Sequence, residues 1–179
     1  KRRFKAKEMG ISSAVFYNTD NETSVLFGSR DNSVRNWNLS TGMIRNFKKT
    51  HTFEVTSVEV YAGGTGNGPR YISGSGDNNA IIWNLNGLPV SILKHSTWVL
   101  DVALSPDGNY ALTGCQDSFA RLWDIHGNML QSFKHGAQVR SVAFSPPCLS
   151  DSTGGQFILT GGTDGKINLW DKTGNLLRV

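Results

Sequence analysis

An aspartate followed six residues later by a tryptophan occurs four times in this chain: Asp31 and Trp37, Asp77 and Trp83, Asp117 and Trp123, Asp164 and Trp170. Successive copies lie 46, 40 and 47 residues apart. A period of that length marks one supersecondary unit repeated in tandem. Such a unit cannot bury both of its apolar faces alone, so it must stack on its neighbours. Other marks share the register. Ser73, Thr113 and Thr160 stand four residues before the last three aspartates. His51, His95 and His135 lie further upstream, each followed four residues on by Val55, Val99 or Val139.

Between these marks the chain alternates short apolar runs with turn residues. In the third copy the strands are expected at Val99 to Leu104, Tyr110 to Cys115, Phe119 to Trp123 and Met129 to Phe133. The turn Ser105-Pro-Asp-Gly-Asn109 has a physical cause, because proline presets φ and glycine permits positive φ. Asp31-Asn32, Asp77-Asn78 and Asp164-Gly165 carry residues that tolerate the left-handed geometry of two-residue hairpins. Each copy therefore reads as a four-stranded antiparallel meander.

With these residues in place, the chain resembles the WD-repeat β-propeller family. The likeness rests on Lys-His, Val-x-x-Val, Ser-Pro-Asp-Gly, Thr-Gly-x-x-Asp and Leu-Trp-Asp, and three of the four copies match closely. It implies an all-β fold of four blades, a partial ring or half of an eight-bladed one. The expected blades span 7–50, 51–94, 95–134 and 135–179, with 1–6 as the last strand of a preceding blade. The first copy departs from the pattern: Lys7 holds the histidine position, Phe27 the hydroxyl position, and Asn36 the place of an inward aliphatic residue.

The resemblance also assigns the polar positions. It implies structural hydrogen-bond sets of His51, Ser73, Asp77 and Trp83; His95, Thr113, Asp117 and Trp123; and His135, Thr160, Asp164 and Trp170. In each, indole meets hydroxyl, hydroxyl meets imidazole, and imidazole meets carboxylate, so the buried groups satisfy one another. A Ser/His/Asp grouping suggests a hydrolase. A grouping that recurs three times, each time with a tryptophan, suggests scaffolding instead. The histidines fall in separate blades, so no metal site and no cofactor are expected. His126 stands alone in a turn and is expected to be solvated.

Binding is expected at the rim where, in this family, the loops entering each blade meet its central hairpin turns. Carried over, the rim positions are Glu54, Thr56 and Gly76; Trp98, Leu100 and Gln116; Gln138, Arg140 and Thr163; with Gly10, Ser12 and Arg30 from the first copy. Trp98 stands out, because the other four tryptophans occupy the repeat position and it does not. Trp and Arg dominate binding energy more often than other residue types. A docking rim of Trp98, Leu100, Arg140, Arg30 and Glu54 is the expectation. The competing reading packs Trp98 over a neighbouring loop.

Composition narrows the remaining classes. Lys1, Arg2, Arg3, Lys5 and Lys7 supply five positive charges, while the whole chain carries +4 and the rest therefore −1. That segment is the one candidate for nucleic-acid contact, although charges at a strand edge also discourage sheet-to-sheet pairing. The Gly63 to Gly68 stretch lacks the Lys-Ser/Thr of a phosphate loop. It reads, like Pro146 to Gly155, as an inserted turn. Cys115 and Cys148 form no disulfide framework, which favours a reducing, cytoplasmic setting. The glycosylation patterns at Asn21 and Asn38 are too common to overturn this. No run is long and apolar enough to span a membrane. A non-catalytic scaffold or recognition and sensor module for a protein or peptide partner is the leading expectation. A nucleic-acid contact is the alternative, and a propeller enzyme the last. Four blades do not readily close a ring, so a homodimer or further blades are expected to complete one.

Overall fold

A computed structural model describes residues 10–19, 22–63, 70–146 and 157–179. Four antiparallel sheets of four strands follow one another along the chain, each in simple meander order. Blade 1 holds β1 (Ile11–Thr19), β2 (Glu22–Ser29), β3 (Val34–Asn38) and β4 (Ile44–Asn46). Blade 2 holds β5 (Val55–Tyr61), β6 (Arg70–Ser75), β7 (Asn79–Trp83) and β8 (Pro89–Lys94). Blade 3 holds β9 (Val99–Leu104), β10 (Tyr110–Cys115), β11 (Phe119–Asp124) and β12 (Met129–Lys134). Blade 4 holds β13 (Val139–Phe144), β14 (Phe157–Gly162), β15 (Ile167–Asp171) and β16 (Leu176–Arg178).

The hairpin between the second and third strands of every blade turns on one residue with positive φ: Asn32 at 69°, Asn78 at 68°, Ser118 at 71° and Gly165 at 75°. Ser118 adopts this region without an amide side chain. Asp117 receives the Phe119 N–H at 3.1 Å and closes the turn from its carboxylate.

The first strand of each blade is innermost, and β1, β5, β9 and β13 lie side by side in that order. They border a common cavity of about 450 Å³ whose walls include Ser13, Ser57, Asp101 and Val142. The middle strands are buried on both faces, as β6 and β10 show, while the outer strands β4 and β16 are exposed. Three apolar cores therefore lie between blades. Leu26, Val34 and Phe47 of blade 1 pack on Val55, Val58 and Trp83 of blade 2. Ile72, Ile82 and Leu93 meet Val99, Val102 and Trp123. Leu112, Leu122 and Phe133 meet Val139, Val142 and Trp170.

Glycine on the second strand lets the blades approach. A Cβ on Gly74 would lie 2.9 Å from a Val99 methyl and 3.0 Å from a Val102 methyl. On Gly114 it would lie 3.0 Å from Val142 and 3.1 Å from Val139. The Val-x-x-Val signature is thus a pair of knobs set into a glycine slot of the preceding blade.

Candidate functional site: the rim and its polar supports

One backbone hydrogen bond builds the rim, and it recurs in every blade. The residue before each hairpin aspartate donates its N–H to a carbonyl in the loop that enters the blade. The pairs are Arg30 to Gly10 at 3.1 Å, Gly76 to Glu54 at 3.0 Å, Gln116 to Trp98 at 3.0 Å and Thr163 to Gln138 at 2.9 Å. These are the residues the sequence pairs at the rim, and the bond holds each pair in contact. The first strand then carries a bulge. Val55 faces Ser75 while Ser57 faces Gly74, and the same skip occurs at Ile11, Val99 and Val139. A bulge removes one residue from the ladder and re-aims its side chain. The skipped residues are Ser12, Thr56, Leu100 and Arg140.

Two of those four turn inward to the next blade. Thr56 Oγ1 donates to the Val99 carbonyl at 2.6 Å, and Ser12 Oγ donates to the Val55 carbonyl. Thr56 is therefore a blade-to-blade tie that stays half-buried at its rim position. Leu100 is half-buried, so it supports the rim more than it faces solvent. Arg140 and Gln116 are exposed and Gln138 is half-buried.

Trp98 does two things at once. It remains 36% exposed, and its indole packs on Phe53 of the neighbouring blade with ring centroids 5.2 Å apart. Gly76 lies beneath both rings, where a Cβ would fall 2.7 Å from Phe53 and 3.1 Å from Trp98. Phe53 is itself 48% exposed. The two sequence alternatives for Trp98 are thus not exclusive. Phe53 escaped the sequence reading because an apolar residue beside Glu54 matches no repeat position. Its only signal was an aromatic residue in a loop beside a glycine-bearing turn. Next to this pair, Arg30 Nε lies 3.6 Å from Glu54 Oε2, an ion pair that crosses from blade 1 to blade 2 at the surface.

Below the rim, the three polar sets are built unequally. In blade 2 the Trp83 indole donates to Ser73 Oγ at 2.8 Å, Ser73 Oγ meets His51 Nε2 at 2.7 Å, and His51 Nδ1 meets Asp77 Oδ2 at 2.9 Å. An ionised carboxylate can only accept, so in the neutral ring Nδ1–H faces Asp77 and Nε2 accepts from the Ser73 hydroxyl. Burial works against the Asp77 carboxylate. The hydrogen bond from His51, with those from the Thr52 and Asn79 N–H groups, outweighs that and holds its pKa at about 2.

Blade 3 departs from the expected set. Trp123 donates to Thr113 Oγ1 at 3.0 Å and His95 Nε2 meets the same oxygen at 2.9 Å. His95 Nδ1, however, bonds the Leu93 carbonyl at 3.0 Å. Asp117 is taken by Arg121, at 2.7 and 3.2 Å, and by Ser96 Oγ at 2.8 Å. Burial and then the Arg121 charge push the His95 pKa down to about 4. In blade 4 Trp170 and His135 both bond Thr160 Oγ1, at 2.8 and 2.6 Å, but His135 Nδ1 stands 3.7 Å from Asp164 and makes no hydrogen bond. Blade 1 follows blade 3, with Arg35 Nη2 on Asp31 Oδ2 at 2.6 Å. An arginine four residues after the aspartate captures it in both blades. Ile81 and Asn168 fill that place in the other two.

On the opposite face, where blades 1 and 2 meet, lies a cavity of about 280 Å³ lined by Tyr17, Asn36, Arg45 and Tyr71 among others. The two tyrosine hydroxyls meet at 2.9 Å, and Asn36 Oδ1 is buried without a partner. Asn36 is the residue that breaks the aliphatic pattern of its strand.

Among the described residues no group of three or more His, Cys, Asp or Glu is placed to hold a metal, and no helix is long and apolar enough to cross a membrane. Cys115 is a buried free thiol whose pKa burial pushes up to about 12, so it is no nucleophile. Lys1 to Lys7, the segment 1–6, Asn21, Gly64 to Gly68 and Pro147 to Gly155 with Cys148 lie outside the described residues.

Residues 87–124 and 127–171 match the model of the family described as WD domain, G-beta repeat. These two segments are WD40 repeats. Each matched segment opens on the outermost strand of one blade and closes on the third strand of the next: 87–124 holds β8 to β11, and 127–171 holds β12 to β15. The repeat in sequence is therefore offset by one strand from the blade in space, which ties successive blades through the chain itself. A stretch of 43 residues is 54% identical to Ribosome assembly protein 4 of Chaetomium thermophilum, covering 23% of this chain and 8% of that protein. The crystal structure of the computationally designed Ika4 protein superposes with a TM-score of 0.74 over 94% of this chain and 95% of that one, at 22% identity. This last likeness is one of fold. At the level of the family, the match supports a non-catalytic interaction module.

Proposed function

We propose that this chain is a recognition module that binds a protein or peptide partner through the rim formed by the blade-entry loops and central hairpin turns. The observation that carries the reading is the Trp98–Phe53 pair. Two aromatic rings from adjacent blades stack over Gly76, hold each other in place, and still present apolar surface. Anchors of this kind bind with little loss of side-chain freedom, because their geometry is fixed beforehand. Glu54, Arg30, Gln116 and Arg140 surround them with polar groups, the usual composition of an interface rim. The histidines support this surface from below rather than act as acids, bases or metal ligands. The end faces of the stack are a separate surface of association, by a homodimer closing an eight-bladed ring or by further blades.

The test is binding by the Trp98→Ala and Phe53→Ala variants. Either change should weaken partner capture at least about tenfold while the melting temperature stays near that of the parent. Undiminished binding by a folded double variant would refute the reading.

A further inference from the structure

Lys48, Lys94 and Lys134 hold the same position in blades 1, 2 and 3. Each directly follows a buried residue of the outer edge, Phe47, Leu93 or Phe133. Lys94 pairs with Asn79 and Lys134 with Phe119, at the hairpin end of the third strand. In blade 1 the Phe47 N–H bonds the Val34 carbonyl and sets Lys48 at the matching place. All three lysines are exposed, and among the described residues none of them pairs with a carboxylate. They form an arc along the outer edge of the rim, one per blade, with exposed Lys49 beside the first.

The acids of the same face are engaged within the chain. Asp31 and Asp117 lie 2.6 and 2.7 Å from Arg35 and Arg121, and Asp77 accepts from His51 at 2.9 Å. Their side chains are only 14%, 14% and 4% exposed. Glu54 has its ion pair with Arg30. On this face, then, acid is covered and cation is open. The opposite ends of the blades carry the reverse. Asp124 and Asp171 stand in turns closed by their own amide groups, Asn128 at 2.7 Å and Asn175 at 2.8 Å. A neutral amide leaves the carboxylate charge in place. The lysines are also near the aromatic pair. Lys94 precedes Trp98 by four residues and Lys49 precedes Phe53 by four. At most about 14 Å of chain separates each lysine from its ring.

Resting on the rim reading above, we infer that the segment docking there is a short acidic peptide of the partner. An apolar side chain of that peptide seats against Trp98 and Phe53, and Asp or Glu residues a few positions away reach Lys48, Lys49 and Lys94. The apolar contact anchors the segment, while the lysine arc selects its charge and speeds its encounter. A peptide is the occupant rather than a nucleic acid for two reasons. The cations are spaced one per blade instead of tracking a continuous backbone. Glu54 also stands next to Phe53, where a phosphate chain stacked on the rings would meet its charge.

Selection of random phage-displayed peptides on the full chain tests this, followed by fluorescence anisotropy with one enriched peptide. Enriched sequences should carry an apolar or aromatic residue flanked by Asp or Glu. Joint replacement Lys48→Gln, Lys94→Gln and Lys134→Gln should keep the melting temperature and weaken the peptide about tenfold, the sum of three exposed ion pairs. Raising salt from about 50 to 300 mM should weaken it similarly. Lys172→Gln, on the opposite ends of the blades, should change nothing. Peptides with neutral or basic flanks that are lost on Trp98→Ala would overturn this inference and leave the rim reading standing. Acidic peptides undiminished by Trp98→Ala would count against the rim reading itself. An absence of enriched peptides, or single-stranded DNA bound as tightly as the acidic peptide, would also overturn the inference.

Discussion

Arg121 grips Asp117 through two hydrogen bonds, the shorter at 2.7 Å, and His95 on the other side of that carboxylate turns to a backbone carbonyl instead. The same exchange operates in blade 1 between Arg35 and Asp31. Whether a blade completes its histidine–aspartate link is thus decided by the residue four places after the aspartate. Arg121→Ile, which copies Ile81 of blade 2, should release Asp117. The His95 pKa should then rise from about 4, and an NMR titration of the imidazole protons reads the shift directly.

His95 also makes stability depend on pH. Its pKa is lowered in the folded chain, so between the unfolded value near 6.5 and about 4 the unfolded state binds more protons. The stabilisation from keeping His95 neutral is complete above that window and is lost as pH falls through it. Unfolding free energy should drop by at most about 1.4 kcal/mol per pH unit there. Urea titrations at several pH values should show the slope, and His95→Gln should flatten it. Asp77, lowered to about 2, adds a second loss only at more acidic pH, between about 4 and 2.

Ser73 carries two bonds at once, from the Trp83 indole and to the His51 ring. Ser73→Ala leaves a buried donor and a buried acceptor unpaired. The expected cost is about 1–3 kcal/mol in urea unfolding. Ser73→Thr keeps the hydroxyl, as Thr113 does in blade 3, and should recover most of the loss.

Gly114 and Gly161 are the same residue of the repeat in different surroundings. Gly114→Val drives new atoms into Val139 and Val142 and should destabilise the fold by about 1–3 kcal/mol. Gly161→Val meets only Ser141, at 3.8 Å, an ordinary contact, and should change unfolding of this chain little. Comparing the two by thermal melts separates an internal contact from an end face.

Much of the architecture could be read from one chain because it is written in local spacing. Each hairpin turn, each Val-x-x-Val pair and each Trp–hydroxyl bond joins residues at fixed offsets, and Trp83, Trp123 and Trp170 all reach the expected hydroxyl. What escaped were choices between competing partners. Asp117 had both His95 and Arg121 within reach, and spacing does not rank a guanidinium against an imidazole. Thr56 looked like an open rim residue because the carbonyl it reaches, that of Val99, belongs to another blade. Phe53 was invisible because its partner Trp98 lies in the neighbouring repeat, at a separation the period does not encode.

The central claim is that the rim, with Trp98 and Phe53 at its centre, is where this chain meets its partner. A photo-crosslinking residue placed at Gln116, beside the pair, and another at Asn86 on the opposite face test it in the full chain. The account predicts a discrete protein adduct from position 116, lost when Trp98→Ala is added, and none from position 86. Adducts from 86 alone, or from 116 undiminished by Trp98→Ala, would contradict it.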